Sequence, residues 1–261
     1  AEDGIRDRSP SRGLGDVSKR QLLVRERPAS VGELGALVLE ASAIGLRGLG
    51  PPSGPGCRTG RGSSVAKYSE EELEARLWRL DQFQRTAFVA ACAERPWPLF
   101  ERCVRVTGQG DVGVLRRILD MAWSAAEEVE VEGMPGAQEA AEAMVPTDDG
   151  EWVFEMGYGQ NAAAAVAYAV RTWLADDPQE AVWGARQLYE AADCAAQQSL
   201  AGWDVDAAGT ESSLFRSRAV QSALEGLSAD LVEVESSGSR DWSALRARAC
   251  EEGETWARIL P

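Results

Sequence analysis

The sequence predicts an all-α fold, a single compact domain of about seven to eight helices preceded by a disordered N-terminal extension. Two observations lead to this prediction. From Ser69 onward, apolar residues recur at the three- and four-residue spacing of amphipathic helices, and clusters of Gly, Pro, Asp and Ser separate these stretches. Before residue 67 the composition differs, and aromatic residues are missing altogether.

Residues 1–66 make up the predicted extension. They contain 12 of the 26 glycines and 5 of the 11 prolines, and 10 Arg/Lys against 7 Asp/Glu. A segment of this kind cannot bury enough apolar surface to offset the entropy that folding removes. One short amphipathic helix around residues 34–41 is an open alternative inside it. We expect residues 67–261, which carry a formal charge of minus 18 from 17 Arg/Lys and 35 Asp/Glu, to form the folded domain.

The helices are predicted from caps and apolar spacing. Ser69 and Glu72 have the spacing of a capping box, and the apolar positions continue to Arg95, so one helix is predicted from Ser69 to Arg95, ending before Pro96. The same reasoning predicts further helices over residues 98–106, 111–128, 135–144, 157–174, 178–200, 211–234 and 242–259. Tryptophans at core positions of these helices include Trp97, Trp123, Trp173 and Trp183.

Residues 108–113 spell the pattern G-x-G-x-x-G that also occurs in dinucleotide-binding proteins. That interpretation needs strands at about residues 103–106 and 129–132. A doubly wound sheet needs several more strands, and the later chain contains only Ala-, Leu- and Glu-rich helical stretches. We therefore predict a turn between two helices, in which Gly108 ends the first helix and Asp111 caps the second.

Composition excludes several kinds of chemistry. The chain has no histidine, so it lacks the base of a Ser-His or Cys-His pair and all imidazole metal ligands. Lysine occurs only at Lys19 and Lys67, which leaves no P-loop lysine. A formal charge of minus 15 disfavours binding to nucleic acid, and no apolar run reaches the roughly 18 residues of a membrane span.

Metal ligands and disulfides are also not expected. Asp204-x-Asp206 resembles the start of a calcium loop, but Phe215 stands where a bidentate Glu is required. The five cysteines are odd in number and form no C-x-x-C pair, which favours a reducing compartment, and hence the cytoplasm. The sequence therefore predicts no metal and no cofactor.

Several charged side chains are candidates for a binding site. Arg116 and Asp120 are four residues apart on one predicted helix, a spacing that favours an ion pair. Structural pairing is the default interpretation, and contact with an anion or a partner is the alternative. The candidate binding residues are Glu94, Arg95, Asp111, Arg116, Arg117 and Asp120.

Three motifs in this region carry a family resemblance. They are Glu94-Arg95-x-x-Pro98, Thr107-Gly108-x-Gly110-Asp111, and Arg116-Arg117-Ile118-Leu119-Asp120-x-x-Trp123. Over about residues 69–250 the chain resembles the YjaG-like proteins, a bacterial family of unknown function (domain of unknown function 416). The resemblance implies an all-helical domain in which the glycines join two helices. It implies no activity.

Three functions are consistent with these observations. The preferred one is a non-enzymatic, acidic module of the bacterial cytoplasm that binds a basic protein partner, because negative charge steers such partners. The second is a small-molecule or metal-assisted enzyme that uses Glu94, Asp111, Arg116 and Asp120. The third is a structural homodimer.

Overall fold

The computed structural model describes residues 68–147, 152–199 and 214–259, all of them within the compact unit Val65–Pro261. These residues contain helices and no strands, so the all-α prediction is confirmed. The predicted extension over residues 1–66 lies outside the described residues. The helices are α1 (Glu70–Leu77), α2 (Gln82–Glu94), α3 (Trp97–Thr107), α4 (Val112–Ala126), α5 (Met134–Ala143), α6 (Phe154–Ala175), α7 (Pro178–Ser199), α8 (Arg218–Ser236) and α9 (Ser243–Ile259).

The first predicted helix is in fact two helices. The chain leaves α1 after Leu77 and starts α2 at a new cap, Asp81, whose side chain accepts a hydrogen bond from the Gln84 backbone N–H at 2.9 Å. The Gln84 side chain in turn accepts from the Asp81 N–H at 3.0 Å, which completes a capping box. Apolar spacing alone does not indicate the break, because Leu77 at its start and Leu80 within it are both buried.

The glycine-rich turn has the predicted form. Gly108 ends α3 in the left-handed conformation with φ of 70°, and the Asp111 side chain caps α4 by accepting from the Val114 N–H at 2.9 Å. Residues 103–106 lie inside α3, and residues 129–132 form irregular backbone and a turn, so neither strand of the dinucleotide alternative is present.

Helix α8 starts later than predicted. It begins at Arg218, behind the cap Ser217, whose side chain accepts from the Val220 N–H at 3.2 Å. The expected start was residue 211, and residues 200–213 lie outside the described residues, as do Asp204 and Asp206.

Helix α6 is the centre of the domain and contacts α2, α3, α4, α5 and α7. Its middle section, residues 161–170, is buried on all sides and consists mainly of alanine. Small side chains on every face let neighbouring helices approach closely. Gly159 of α6 lies against the side chain of Cys103 on α3, where a Cβ atom would clash.

Helix α2 is also central to the packing of the domain, since it contacts α4, α6, α7, α8 and α9. The core tryptophans include Trp123, which is 1% exposed. The prediction was wrong for Trp183, which is 37% exposed on the outer side of α7, where its ring packs against that of Tyr168. None of the described helices is both long enough and apolar enough to cross a bilayer.

Candidate functional site

Two consecutive charged residues, Glu94 and Arg95, stand at the C-terminal end of α2. Pro96 has no backbone N–H and follows directly, so the helix ends here. Both side chains are buried, with exposures of 3% for Glu94 and 0% for Arg95. Buried charges require partners. Each of these two residues anchors a cluster of its own.

The Glu94 cluster comprises Glu94, Arg116, Asp120, Trp123, Arg246 and Cys250. The Glu94 carboxylate accepts two hydrogen bonds from the Arg116 guanidinium, at 2.5 and 2.8 Å. It also accepts from Trp123 Nε1 at 3.0 Å and from Cys250 Sγ at 3.2 Å. Four donors from two helices, α4 and α9, thus converge on one carboxylate.

The outer part of this cluster reaches the surface. Asp120 accepts from Arg116 at 3.1 and 3.0 Å and forms a further ion pair with Arg246. The Arg116 guanidinium lies over the ring of Trp97, 4.9 Å from its centroid, and Arg246 lies 5.8 Å from the centroid of Trp123. The two carboxylates and two guanidiniums balance in charge, and each guanidinium also has an indole beside it.

The environment of Glu94 favours its ionised form. Burial by itself raises the pKa of this carboxyl, but the hydrogen bonds and charge of Arg116, with help from Trp123 and Cys250, lower it below its ordinary value. Burial, together with the negative charge of Glu94, raises the pKa of the Cys250 thiol to about 11. At neutral pH Cys250 is therefore a thiol whose S–H group donates a hydrogen bond to the Glu94 carboxylate.

The Arg95 cluster lies beside the first and comprises Arg95, Asp230, Glu233, Arg248 and Glu252. Arg95 donates two hydrogen bonds to Asp230, one of them at 2.8 Å, and another to Glu252 at 2.5 Å. Burial alone lowers the pKa of Arg95, but the charges and hydrogen bonds of both carboxylates raise it above its ordinary value. Arg248 also donates to Asp230, at 2.7 Å.

Two glycines make room for the Arg95 cluster. A Cβ atom on Gly226 of α8 would lie 2.6 Å from Arg95 Nε, and one on Gly253 of α9 would lie 2.7 Å from the Arg95 carbonyl oxygen. Neither distance is possible in a folded protein without a shift of the neighbouring atoms. The glycines therefore allow α8 and α9 to close around the end of α2.

The structure brings some of the candidate residues together and leaves others apart. Glu94, Arg116 and Asp120 are in direct contact, and Arg95 anchors the neighbouring cluster. The remaining two are exposed and belong to neither cluster. Asp111 caps α4, and Arg117 lies on the outer side of that helix.

Important partners were not among the candidates. Arg246 and Cys250 come from α9, far along the chain, and no local spacing connects them with Glu94. The burial of Asp230 could have been predicted from the sequence, because this residue lies next to the buried Leu227 and Leu231 on one face of α8. A carboxylate on the apolar face of a helix indicates a buried partner of opposite charge.

These clusters are suited to holding helices together. Every oxygen of Glu94 is already engaged, and its lowered pKa keeps it from acting as a proton donor at neutral pH. Within the three described stretches, no group of three or more His, Cys, Asp or Glu side chains has an arrangement that could hold a metal ion.

Comparison with known proteins agrees with the motifs and the fold. Residues 72–199 match the model of a family described as protein of unknown function, DUF416. The uncharacterized protein YjaG of Escherichia coli K12 is 37% identical over 54 residues, which are 21% of this chain and 28% of that protein, so the match spans less than a third of the relative's length. A crystal structure of a DUF416 family protein from Shewanella baltica OS155 has a TM-score of 0.60 at 18% identity, covering 69% of this chain and 94% of that one. The predicted resemblance is thereby confirmed.

Proposed function

We propose that this protein, whose residues 72–199 match a family of unknown function, is a non-enzymatic module that binds a basic protein partner. The observation that supports this proposal is the distribution of charge. The described residues contain 16 arginines and 29 Asp/Glu. At least ten of these arginines are engaged in ion pairs within the chain.

The carboxylates in excess are on the surface. Exposed carboxylates that form no ion pair among the described residues include Glu71, Glu72, Glu127, Glu130, Glu132, Glu139, Asp177, Glu225 and Glu251. Most of the positive charge is therefore engaged in internal pairs, and the unpaired carboxylates on the surface outnumber the unpaired exposed arginines of the described residues, which are Arg79, Arg105, Arg117, Arg216 and Arg218. Such a surface attracts a basic partner and raises the association rate by about ten-fold to a thousand-fold at low salt.

The compartment we propose is the cytoplasm. The four cysteines of the described residues, Cys92, Cys103, Cys194 and Cys250, are all free thiols. This supports a reducing environment.

An enzyme that uses a carboxylate and arginine site is the second candidate. One observation favours it, namely the convergence of Glu94, Arg116 and Asp120. The fourth residue of that hypothesis, Asp111, is occupied in capping α4. Because the Glu94 carboxylate has no vacant position for a substrate, we rank this function below protein binding.

Purification from the native host tests the proposal. The tagged full chain should retain a basic protein at low salt and lose it at about 500 mM salt, where the screening length is below about 5 Å. A variant with Glu127, Glu130 and Glu132 changed to Gln should release the partner at lower salt.

The control is Arg105→Gln, which removes a positive charge from an exposed position instead of a negative one. This variant should retain the partner. A preparation without any basic protein at low salt would contradict the proposal. Light scattering on the same sample distinguishes the homodimer hypothesis, since only that one requires twice the chain mass without a second protein.

A further inference from the structure

The outer face of α1 combines negative charge with the most exposed tryptophan among the described residues. Glu71, Glu74 and Trp78 follow each other at spacings of three and four residues, so they lie on one side of the helix. Leu73 and Leu77 are buried on the opposite side. Trp78 is 63% exposed, although tryptophan is usually placed where its large apolar surface is covered.

The indole of Trp78 is tied to the carboxylate beside it. Its Nε1 donates to Glu74 Oε1 at 3.4 Å, so the edge of the ring is engaged. Among the described residues, no arginine lies over the face of this ring, and Glu71 forms no ion pair. An aromatic face and two carboxylates are therefore present together, and no described arginine forms an ion pair with either carboxylate; the exposed Arg79, next in the chain to Trp78, pairs with neither.

Elsewhere the same protein completes this arrangement internally. Arg116 lies over Trp97 while it pairs with Glu94, and Arg246 lies near the face of Trp123 while it pairs with Asp120. A guanidinium suits both partners at once, because its plane stacks on an indole while its N–H groups donate to a carboxylate. The α1 face offers the indole and the carboxylate but lacks the guanidinium.

Helix α1 is also held firmly in position. The Ser69 side chain caps it by accepting from the Glu72 N–H at 3.3 Å. Glu70 pairs with Arg186 of α7 at 3.6 Å, and Arg76 donates two hydrogen bonds to Glu235 of α8, at 2.7 and 2.6 Å. A surface that is fixed before binding loses little entropy when a partner docks.

We propose that this face, formed by Glu71, Glu74 and Trp78, docks an arginine side chain of a partner protein. The guanidinium stacks on the indole of Trp78 and pairs with Glu74 and Glu71. This inference rests on the proposed function, and it adds the surface and the chemistry of the partner. Lysine fits less well, because an ammonium group cannot stack as a plane and donate two parallel hydrogen bonds.

Labelled oligo-arginine and oligo-lysine peptides of equal length test the docking surface by fluorescence anisotropy with the full chain. Oligo-arginine should bind more tightly than oligo-lysine at about 50 mM salt. Trp78→Ala should weaken oligo-arginine binding by about two-fold to five-fold and change oligo-lysine binding much less. Glu74→Gln removes the charge of the partner carboxylate and should weaken oligo-arginine binding as well.

Matched controls separate this surface from general electrostatics. Trp152→Ala removes another exposed tryptophan, 45% exposed and packed against Phe154. Glu225→Gln removes an exposed charge on α8. Both controls should bind oligo-arginine more tightly than the α1 variants do, and all four variants should melt cooperatively.

The outcomes distinguish the two levels of the proposal. Equal effects of Trp78→Ala and Trp152→Ala, with binding that still weakens as salt rises, would overturn the α1 surface and leave the proposed function standing. No binding of either peptide at low salt would overturn both.

Discussion

Arg95 is a fully buried arginine whose charge is matched by the equally buried Asp230. Removing one member of such a pair leaves the other charge buried without its partner, which usually costs more than the pair contributes. We expect Arg95→Ala to lower the free energy of unfolding by about 3 to 5 kcal/mol, measured by urea denaturation. Arg105→Ala, at an exposed position of α3, should change it by less than about 0.5 kcal/mol. Equal effects of the two substitutions would contradict the importance of the buried pair.

Glu94 makes stability depend on acid pH. Since its pKa is lower in the folded protein than in the unfolded chain, its contribution is complete above the unfolded pKa of about 4.5 and is lost as pH falls through the folded value. Glu94→Gln should destabilise the protein at pH 7, and the difference from wild type should shrink below about pH 4.5. Urea unfolding over a pH series measures this. Glu225→Gln should keep the wild-type profile, and a constant Glu94→Gln difference at all pH values would refute the linkage.

At the scale of single residues, the sequence predicted the contacts that are local. Arg116 and Asp120 form the ion pair that their four-residue spacing indicates. The partners of Glu94 on α9 were missed because Cys250 is 156 positions away and no local pattern reports such a contact. The side of a helix that a charged residue occupies can be read from the sequence, but the helix that will face it cannot.

At the scale of elements, the close approach of α9 to α2 depends on the absence of a side chain at Gly253. A Cβ atom on Gly253 would lie 2.7 Å from the Arg95 carbonyl oxygen and 3.3 Å from that of Glu94. Because backbone atoms cannot move aside cheaply, we expect Gly253→Ala to destabilise the protein by about 1 to 3 kcal/mol, measured as the change in urea midpoint.

Gly136 in α5 is the matched control. A Cβ atom there has no neighbour within 4 Å, so Gly136→Ala only improves helix propensity. It should stabilise the protein by up to about 1 kcal/mol. If both alanine variants were equally stable, the close approach at Gly253 would be incidental.

The predicted helices agree best where a local signal marks their ends. Pro96 ends α2, and Gly108 and Asp111 end α3 and begin α4, because each acts through its own backbone conformation or capping oxygen. The break between α1 and α2 was missed although Asp81 and Gln84 carry a capping signal. The apolar spacing continues across that break, and the two signals conflict in the sequence. Tertiary packing of Leu77 and Leu80 decides between them.

At the scale of the molecule, we predict that residues 67–261 fold without residues 1–66. Trypsin should cut the Arg-containing segment before Lys67 early and leave a stable fragment that starts near this residue. Because the core contacts of the domain lie within that fragment, it should keep the complete melting transition of the full chain. Protection of residues 50–62 from cleavage would show that the extension is part of the folded unit.

The positions of the Arg95 partners have a consequence for biosynthesis. Asp230 and Glu252 follow Arg95 by 135 and 157 residues, so the guanidinium leaves the ribosome long before either carboxylate has been made. Until then, burying the end of α2 would trap an unpaired charge, and the nascent chain has to keep this end hydrated. Contacts of such high sequence separation also slow folding. The core around α2 therefore closes only after α8 and α9 have emerged, which makes the burial of Arg95 a late step of folding.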